Sequence, residues 1–166
     1  KEVLFLIEKN FLGESIIECV ELGKGIDYQS FSFTQSKEKE TEITYSLSNN
    51  YLYEPNTSIL KAGAYKCITE LGISKLGQHS HLYTSDLLVE DFMGRSFEIQ
   101  EICSFDKKVL LKKVGKKANI TTRNFPYTVN EIRKKTGIKE GGELYLFCTI
   151  SFENKPICII CKKVKA

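Results

Sequence analysis

The sequence predicts an α+β fold: N-terminal strands plus one helix, then a small β-α-β-α-β-β module with two helices on one face of its sheet. Three observations carry this. Short runs rich in Val, Ile, Leu, Phe and Tyr occur towards both ends of the chain and read as strands. Two lysine-rich segments, 107–114 and 129–136, instead place apolar residues three and four apart, the period of a helix. Residues with helix-capping chemistry, Asp106 and Thr128, stand directly in front of them.

Residues 3–8 and 15–22 read as two strands joined by a turn at Gly13-Glu14, and Gly23-Lys24-Gly25 ends the second. Residues 28–34 and 41–47 read as another pair, separated by a polar, exposed turn over 35–40. Asn56 is an N-cap. From about Thr57 to Leu71 a helix is expected, with Leu60, Ala64, Cys67, Ile68 and Leu71 on one face and Gly72 as its stop. Residues 79–91 read as irregular or briefly extended, and Arg95 to Phe105 as a strand.

In the C-terminal module Asp106 caps a helix to about Val114, ended by Gly115. Leu110, Leu111 and Val114 share one face of it, and Lys108, Lys112, Lys113 and Lys116 the opposite one. A short strand, 118–122, is broken by Asn124-Phe125-Pro126. Thr128 and Glu131 make a capping box for the second helix, with Val129, Ile132 and Thr136 inward and Arg133, Lys134 and Lys135 outward. Gly141-Gly142 leads into a hairpin of 143–152 and 156–164. The chain divides into a strand-rich segment 1–48, a helical connecting segment 49–94 and a basic α/β domain 95–166.

Charge is split between the halves. Residues 101–166 hold 15 Lys+Arg against 6 Asp+Glu, a net of +9, while residues 1–100 hold 9 against 15, a net of −6. Such asymmetry points to a polyanion on the basic half, and nucleic acid is the usual one. The candidate contacts are Lys108, Lys112, Lys113, Lys116, Lys117, Arg123, Arg133, Lys134 and Lys135. Thirteen of the fifteen basic residues there are lysines. Lysine is a point charge, so backbone and shape recognition is expected in place of base reading.

Other chemistry is thin. Cys158 and Cys161 have CxxC spacing, but two isoleucines separate them within a strand, so the sulfurs face opposite ways. His79, His81 and Asp86 make only a weak metal set, and no metal is expected. No dinucleotide loop and no nucleophile–base pairing stands out, so no catalytic residue is assigned. Tyr53 and Glu54, with His81, Tyr83 and Asp86, lie in segments dense in aromatic and acidic groups, and are expected to contact a substrate or a catalytic domain from loops. Most of the six cysteines sit singly among apolar residues, which suits a reducing, cytoplasmic setting. No apolar run reaches the length of a membrane span, and no signal peptide is read at the start. The only methionine is Met93, so Lys1 is expected to be an internal position of a longer protein.

Three segments carry a family resemblance: 117–126 (KANITTRNFP), 131–135 (EIRKK) and 139–147 (KEGGELYLF). They resemble the C-terminal THUMP-like domain of predicted bacterial S-adenosylmethionine-dependent methyltransferases. Residues 51–56 (YLYEPN), 59–63 (ILKAG) and 81–86 (HLYTSD) are similar to the same family, so the resemblance spans about residues 50–165. It implies a Rossmann-like catalytic domain upstream that binds S-adenosylmethionine, with no cofactor on this chain. Residues 3–22 would then be the closing hairpin of that domain's sheet. It also implies an RNA substrate, with structured tRNA or rRNA as the partner. The alternative is a structural or oligomerisation appendage with no nucleic-acid role.

Overall fold

The computed structural model describes residues 3–22, 28–47 and 50–164. The elements run β1 (Ile16–Leu22), β2 (Tyr28–Thr34), α1 (Gln35–Glu40), β3 (Tyr51–Pro55), α2 (Thr57–Ala62), a 3₁₀ helix (Cys67–Leu71), β4 (Ser74–Lys75) and β5 (Tyr83–Ser85). They continue with β6 (Gly94–Ser104), α3 (Lys107–Val114), β7 (Asn119–Arg123), α4 (Val129–Thr136), β8 (Leu144–Ile150) and β9 (Pro156–Lys163). β1 and β2 pair as an antiparallel ribbon. The other seven strands form one sheet in the order β4-β5-β3-β6-β9-β8-β7. Only β7 and β8 run parallel, with α4 as the crossover between them. The class is α+β, as the sequence predicts.

The N-terminal half departs from expectation in four places. Residues 3–8 are not a strand: β1 pairs along its whole length with β2, from Ile16↔Thr34 to Leu22↔Tyr28. Residues 35–40 are not a turn but α1, started by Thr34, whose hydroxyl accepts the Lys37 N–H at 3.2 Å. Residues 41–47 are not a strand: they meet the sheet edge at an isolated bridge, Tyr45↔Lys75, and Thr84 Oγ1 donates to Ser46 O at 3.2 Å. The long helix expected over 57–71 is broken, because Gly63 takes the left-handed conformation (φ +81°) and closes α2 after six residues. The segment 49–94 is therefore not mainly helical, and it contributes β3, β4 and β5 to the shared sheet. Gly23-Lys24-Gly25 lies outside the described residues.

Three clusters fill the interior. Cys19 and Phe33 of the ribbon pack with Tyr53, Ile59, Ile68 and Tyr83. Leu110 and Val114 of α3 and Ile132 of α4 cover one sheet face, over Ile120, Leu146, Cys148, Cys158 and Ile160. The opposite face carries Leu52, Leu76, Leu82, Phe97, Phe147, Ile159 and Cys161. Alternate residues of β8 and β9 divide cleanly between the last two clusters, as strand geometry requires.

The sheet curls strongly. β3 and β7 are four places apart in the strand order, about 19 Å in a flat sheet. Yet Arg123, at the end of β7, holds Glu54 of β3 at 2.6 Å. The β8–β9 turn closes on the β4–β5 connection in the same way: Phe152 N–H donates to Leu76 O at 2.8 Å. A Cβ on Gly77 would sit 2.5 Å from Ile150 O, so only glycine fits that approach. Curling encloses the Phe97–Phe147 cluster and brings distant ends of the chain to one rim.

Candidate nucleic-acid interface

The basic surface is built on two capped helices. Asp106 Oδ1 accepts the Val109 N–H at 2.9 Å and starts α3. At α4 the capping box is complete: Glu131 N–H donates to Thr128 Oγ1 at 3.3 Å, and Thr128 N–H donates to Glu131 Oε2 at 2.8 Å. Burial of Leu110, Val114, Ile132 and Thr136 fixes the rotation of both helices. Lys108, Lys112, Lys134 and Lys135 are left in solvent, and Lys116 and Lys117 are exposed just before β7. The helices cover the same face of the sheet and contact each other, so their outer faces adjoin.

Not every expected contact belongs to this surface. Lys113 is ion-paired to Glu101 of β6, which takes up part of its charge. Arg133 is half-buried: it donates to Ile138 O at 3.3 Å and lies 3.6 Å from Glu140. Lys135 sits 4.6 Å above the Tyr127 ring, a cation–π contact that holds its ammonium near the surface. Arg123 leaves the lysines altogether, since it stands at the end of β7 remote from Lys116 and Lys117.

Arg123 instead joins a second basic feature. The Glu54 side chain is only 4% exposed. Its Oε2 accepts from Nε of Arg95 at 2.8 Å and from the same guanidinium's NH2, while its Oε1 accepts from Arg123 NH2 at 2.6 Å. Both arginines remain about two-fifths exposed. Arg95 also lies 5.5 Å over the Phe97 ring. The chain has only three arginines, and two of them meet on this carboxylate. Arg95 was missed in the sequence. The scarcity of arginine was the available signal, but nothing local ties Glu54 to partners 41 and 69 residues away.

The expected loop contacts divide. Tyr53 and Tyr83 are wholly buried on strands, which corrects their reading as loop contacts. Tyr53 Oη lies 2.9 Å from Ser85 Oγ, donates to Leu87 O at 3.1 Å and accepts the Val89 N–H at 2.9 Å. Tyr83 Oη donates to Tyr65 O at 2.9 Å, and burial pushes its phenol up. Glu54 is on β3, buried, and serves the arginines. His81 is half-buried and stacked on Tyr65 with ring centroids 4.0 Å apart. Burial, with Lys75 nearby, holds its imidazole below the ordinary value. Asp86 is exposed beside β5, and its carbonyl accepts from Asn50 at 2.9 Å.

Cys158 and Cys161 face opposite sides of the sheet, in separate core clusters. All six cysteines are free thiols. Cys148 and Cys158 pair across β8 and β9 with sulfurs 3.4 Å apart. Among the described residues no three His, Cys, Asp or Glu gather to hold a metal.

Residues 94–163 match the THUMP domain-like family. That module comprises β6 to β9 with α3 and α4, the part that carries the lysine faces. Residues 51–92 match a ferredoxin-like domain, the part that carries Glu54. The chain is also similar to the crystal structure of a candidate methyltransferase from Porphyromonas gingivalis W83, with 36% identity and a TM-score of 0.83. The match covers 90% of this chain and 38% of that one. No curated protein matches the chain. Among the described residues no helix is long and apolar enough to cross a membrane.

Proposed function

We propose that this chain is the RNA-recognition portion of an S-adenosylmethionine-dependent methyltransferase. In this reading the THUMP-like module docks structured RNA, tRNA or rRNA, and presents it to a catalytic domain elsewhere in the protein. The observation that carries it is the pair of adjoining lysine faces on α3 and α4. The match to a THUMP domain-like family and the likeness to a candidate methyltransferase support it. Lysine ammoniums held in solvent bind phosphates by charge and release counterions, which makes affinity fall steeply with salt.

Contact with a second domain has its own support. Val3, Leu4, Phe5, Leu6, Ile7 and Leu12 are all at least 79% exposed. An apolar stretch of that extent marks an interaction surface. We assign it to the catalytic domain.

The test is anisotropy of labelled tRNA titrated with the chain at low and near-physiological salt. Wild type should bind and weaken steeply with salt. Changing Lys112, Lys113, Lys116 and Lys117 together to Glu should abolish binding with the circular-dichroism spectrum unchanged. Unaltered affinity in that variant would sink the RNA reading and leave the structural appendage.

A further inference from the structure

Beside the Glu54 ion pairs lies a cleft of about 370 Å³. Its walls come from three separated parts of the chain: the β1–β2 ribbon (Glu21, Gln29), the β3–α2 corner (Asn56, Leu60) and the two arginines. Curling of the sheet creates it, because only then does the end of β7 reach β3.

Two side-chain donors of residues that line this cleft have no acceptor. Arg123 Nε and Asn56 Nδ2 are both buried without an acceptor. The Asn56 amide cannot turn round to cure this, since its Oδ1 already accepts from Ile59 N–H at 3.1 Å and from Ser58 Oγ at 2.8 Å. Buried donors without acceptors are rare in folded proteins, and each calls for an explanation. The guanidiniums also have donors to spare. Each carries five N–H groups; Glu54 takes Nε and NH2 of Arg95 and only NH2 of Arg123. Glu54 thus acts as a buried clamp that holds two rigid forks side by side at the cleft wall, and forks of this kind match phosphate oxygens.

Charge narrows the ligand. Arg95 and Arg123 are offset by Glu54 and, at the exposed rim, by Glu21. Buried Glu54 leaves the two guanidiniums with one net positive charge, while solvent screens Glu21 at the rim, so a dianion would be left partly uncompensated. A monoanion with several acceptor oxygens fits better, and that is the charge of a phosphodiester. We propose that this cleft is a phosphodiester subsite, which grips one backbone phosphate of a bound RNA strand through Arg95, Arg123 and Asn56. It rests on the RNA reading above and adds an arginine anchor to the lysine faces.

The experiment uses the full chain, ¹⁵N-labelled, and follows the arginine Nε–H resonances. The probes are the dinucleoside monophosphate UpU, uridine 5′-monophosphate and inorganic phosphate. At about pH 8.5, where both phosphate probes are dianions, UpU should shift the Arg123 Nε–H signal at lower concentration than either of them. In parallel, Arg95→Lys and Arg123→Lys, which keep the charge and lose the fork, should each weaken tRNA binding at least tenfold with the fold intact. If Arg123→Lys fails to fold, Arg95→Lys and the titration decide the matter. Unmoved arginine signals, with tRNA affinity within twofold of wild type in the lysine variants, would overturn the subsite. In that event the charge reversal on α3 still reports separately on the RNA reading. Tighter binding of inorganic phosphate than of UpU would assign the cleft to a free anion and overturn the RNA anchor.

Discussion

Glu54 of β3 accepts a hydrogen bond from Arg123 of β7 at 2.6 Å, although four strand positions separate the two in the sheet. The contact ties the segment that matches a ferredoxin-like domain to the one that matches the THUMP domain-like family, and Arg95 reinforces it from β6. The carboxylate is buried and the guanidiniums are not, so the three residues respond very differently to mutation.

Removing both arginines should be costly. Arg95→Ala with Arg123→Ala leaves a carboxylate that is 4% exposed without any counter-charge. Breaking a buried pair in that direction costs about 3–5 kcal/mol. Glu54→Gln leaves two half-exposed guanidiniums that water can serve, at a cost of about 1 kcal/mol, in the range of surface ion pairs. Urea unfolding of the two variants checks the asymmetry. Equal losses would show that the carboxylate is solvated and the clamp unimportant.

The cap of α4 gives a second stability prediction. Thr128 Oγ1 satisfies the Glu131 N–H, and Glu131 answers by accepting from Thr128. Thr128→Ala removes one side of the box and should cost about 1 kcal/mol. Thr128→Ser keeps the oxygen and should recover most of it. The loss should appear as a lower urea midpoint with an unchanged slope, because the unfolding surface is the same.

The residues of that cap show which parts of the fold were legible in the sequence. Asp106, Thr128 with Glu131, Asn56 and the glycine stops act within four residues of one another, so local pattern suffices to place α3, α4 and the start of α2. The strand character of β6, β8 and β9 was legible in their β-branched and aromatic runs, whereas the bulge between Ile99 and Glu101 was not. β4 and β5 are two and three residues long and leave no period to read. α1 buries no side chain; its Glu38 instead accepts the N–H groups of Tyr65, Lys66 and Cys67 at 2.9–3.1 Å, a long-range cap. The lysine faces follow from helical spacing alone. The arginine cleft depends on sheet curling, which no spacing in the sequence encodes.

The thiols should be inert in the native state. Burial pushes Cys161 up, and Cys158 rises through its contact with Cys148 together with burial. Burial also raises half-exposed Cys103, to about 11. At pH 7.5 these groups are protonated, and the thiolate is the reacting species. Reaction with Ellman's reagent should be slow in buffer, with Cys103 the first of the three to react. All six thiols should react at once in guanidinium chloride. A fast native phase mapped to Cys148, Cys158 or Cys161 would show that the β8–β9 core opens readily.

His81 makes stability depend on pH in a defined direction. Its ring is held below the ordinary value of 6.5 chiefly by burial against Tyr65, with Lys75, His79 and Arg123 adding positive charge around it. Above pH 6.5 the imidazole is neutral in both folded and unfolded chains, and its surroundings cost nothing. Below 6.5 the unfolded chain takes up a proton that the folded chain resists, so stability falls as pH falls until the depressed folded value is passed. Asn is the replacement to use, because residue 81 has φ +49° and Asn tolerates the left-handed region. The melting temperature of wild type should drop more between pH 7 and pH 5 than that of His81→Asn. Parallel curves would mean that His81 protonates freely in the native state, and that the stacked ring opens to water.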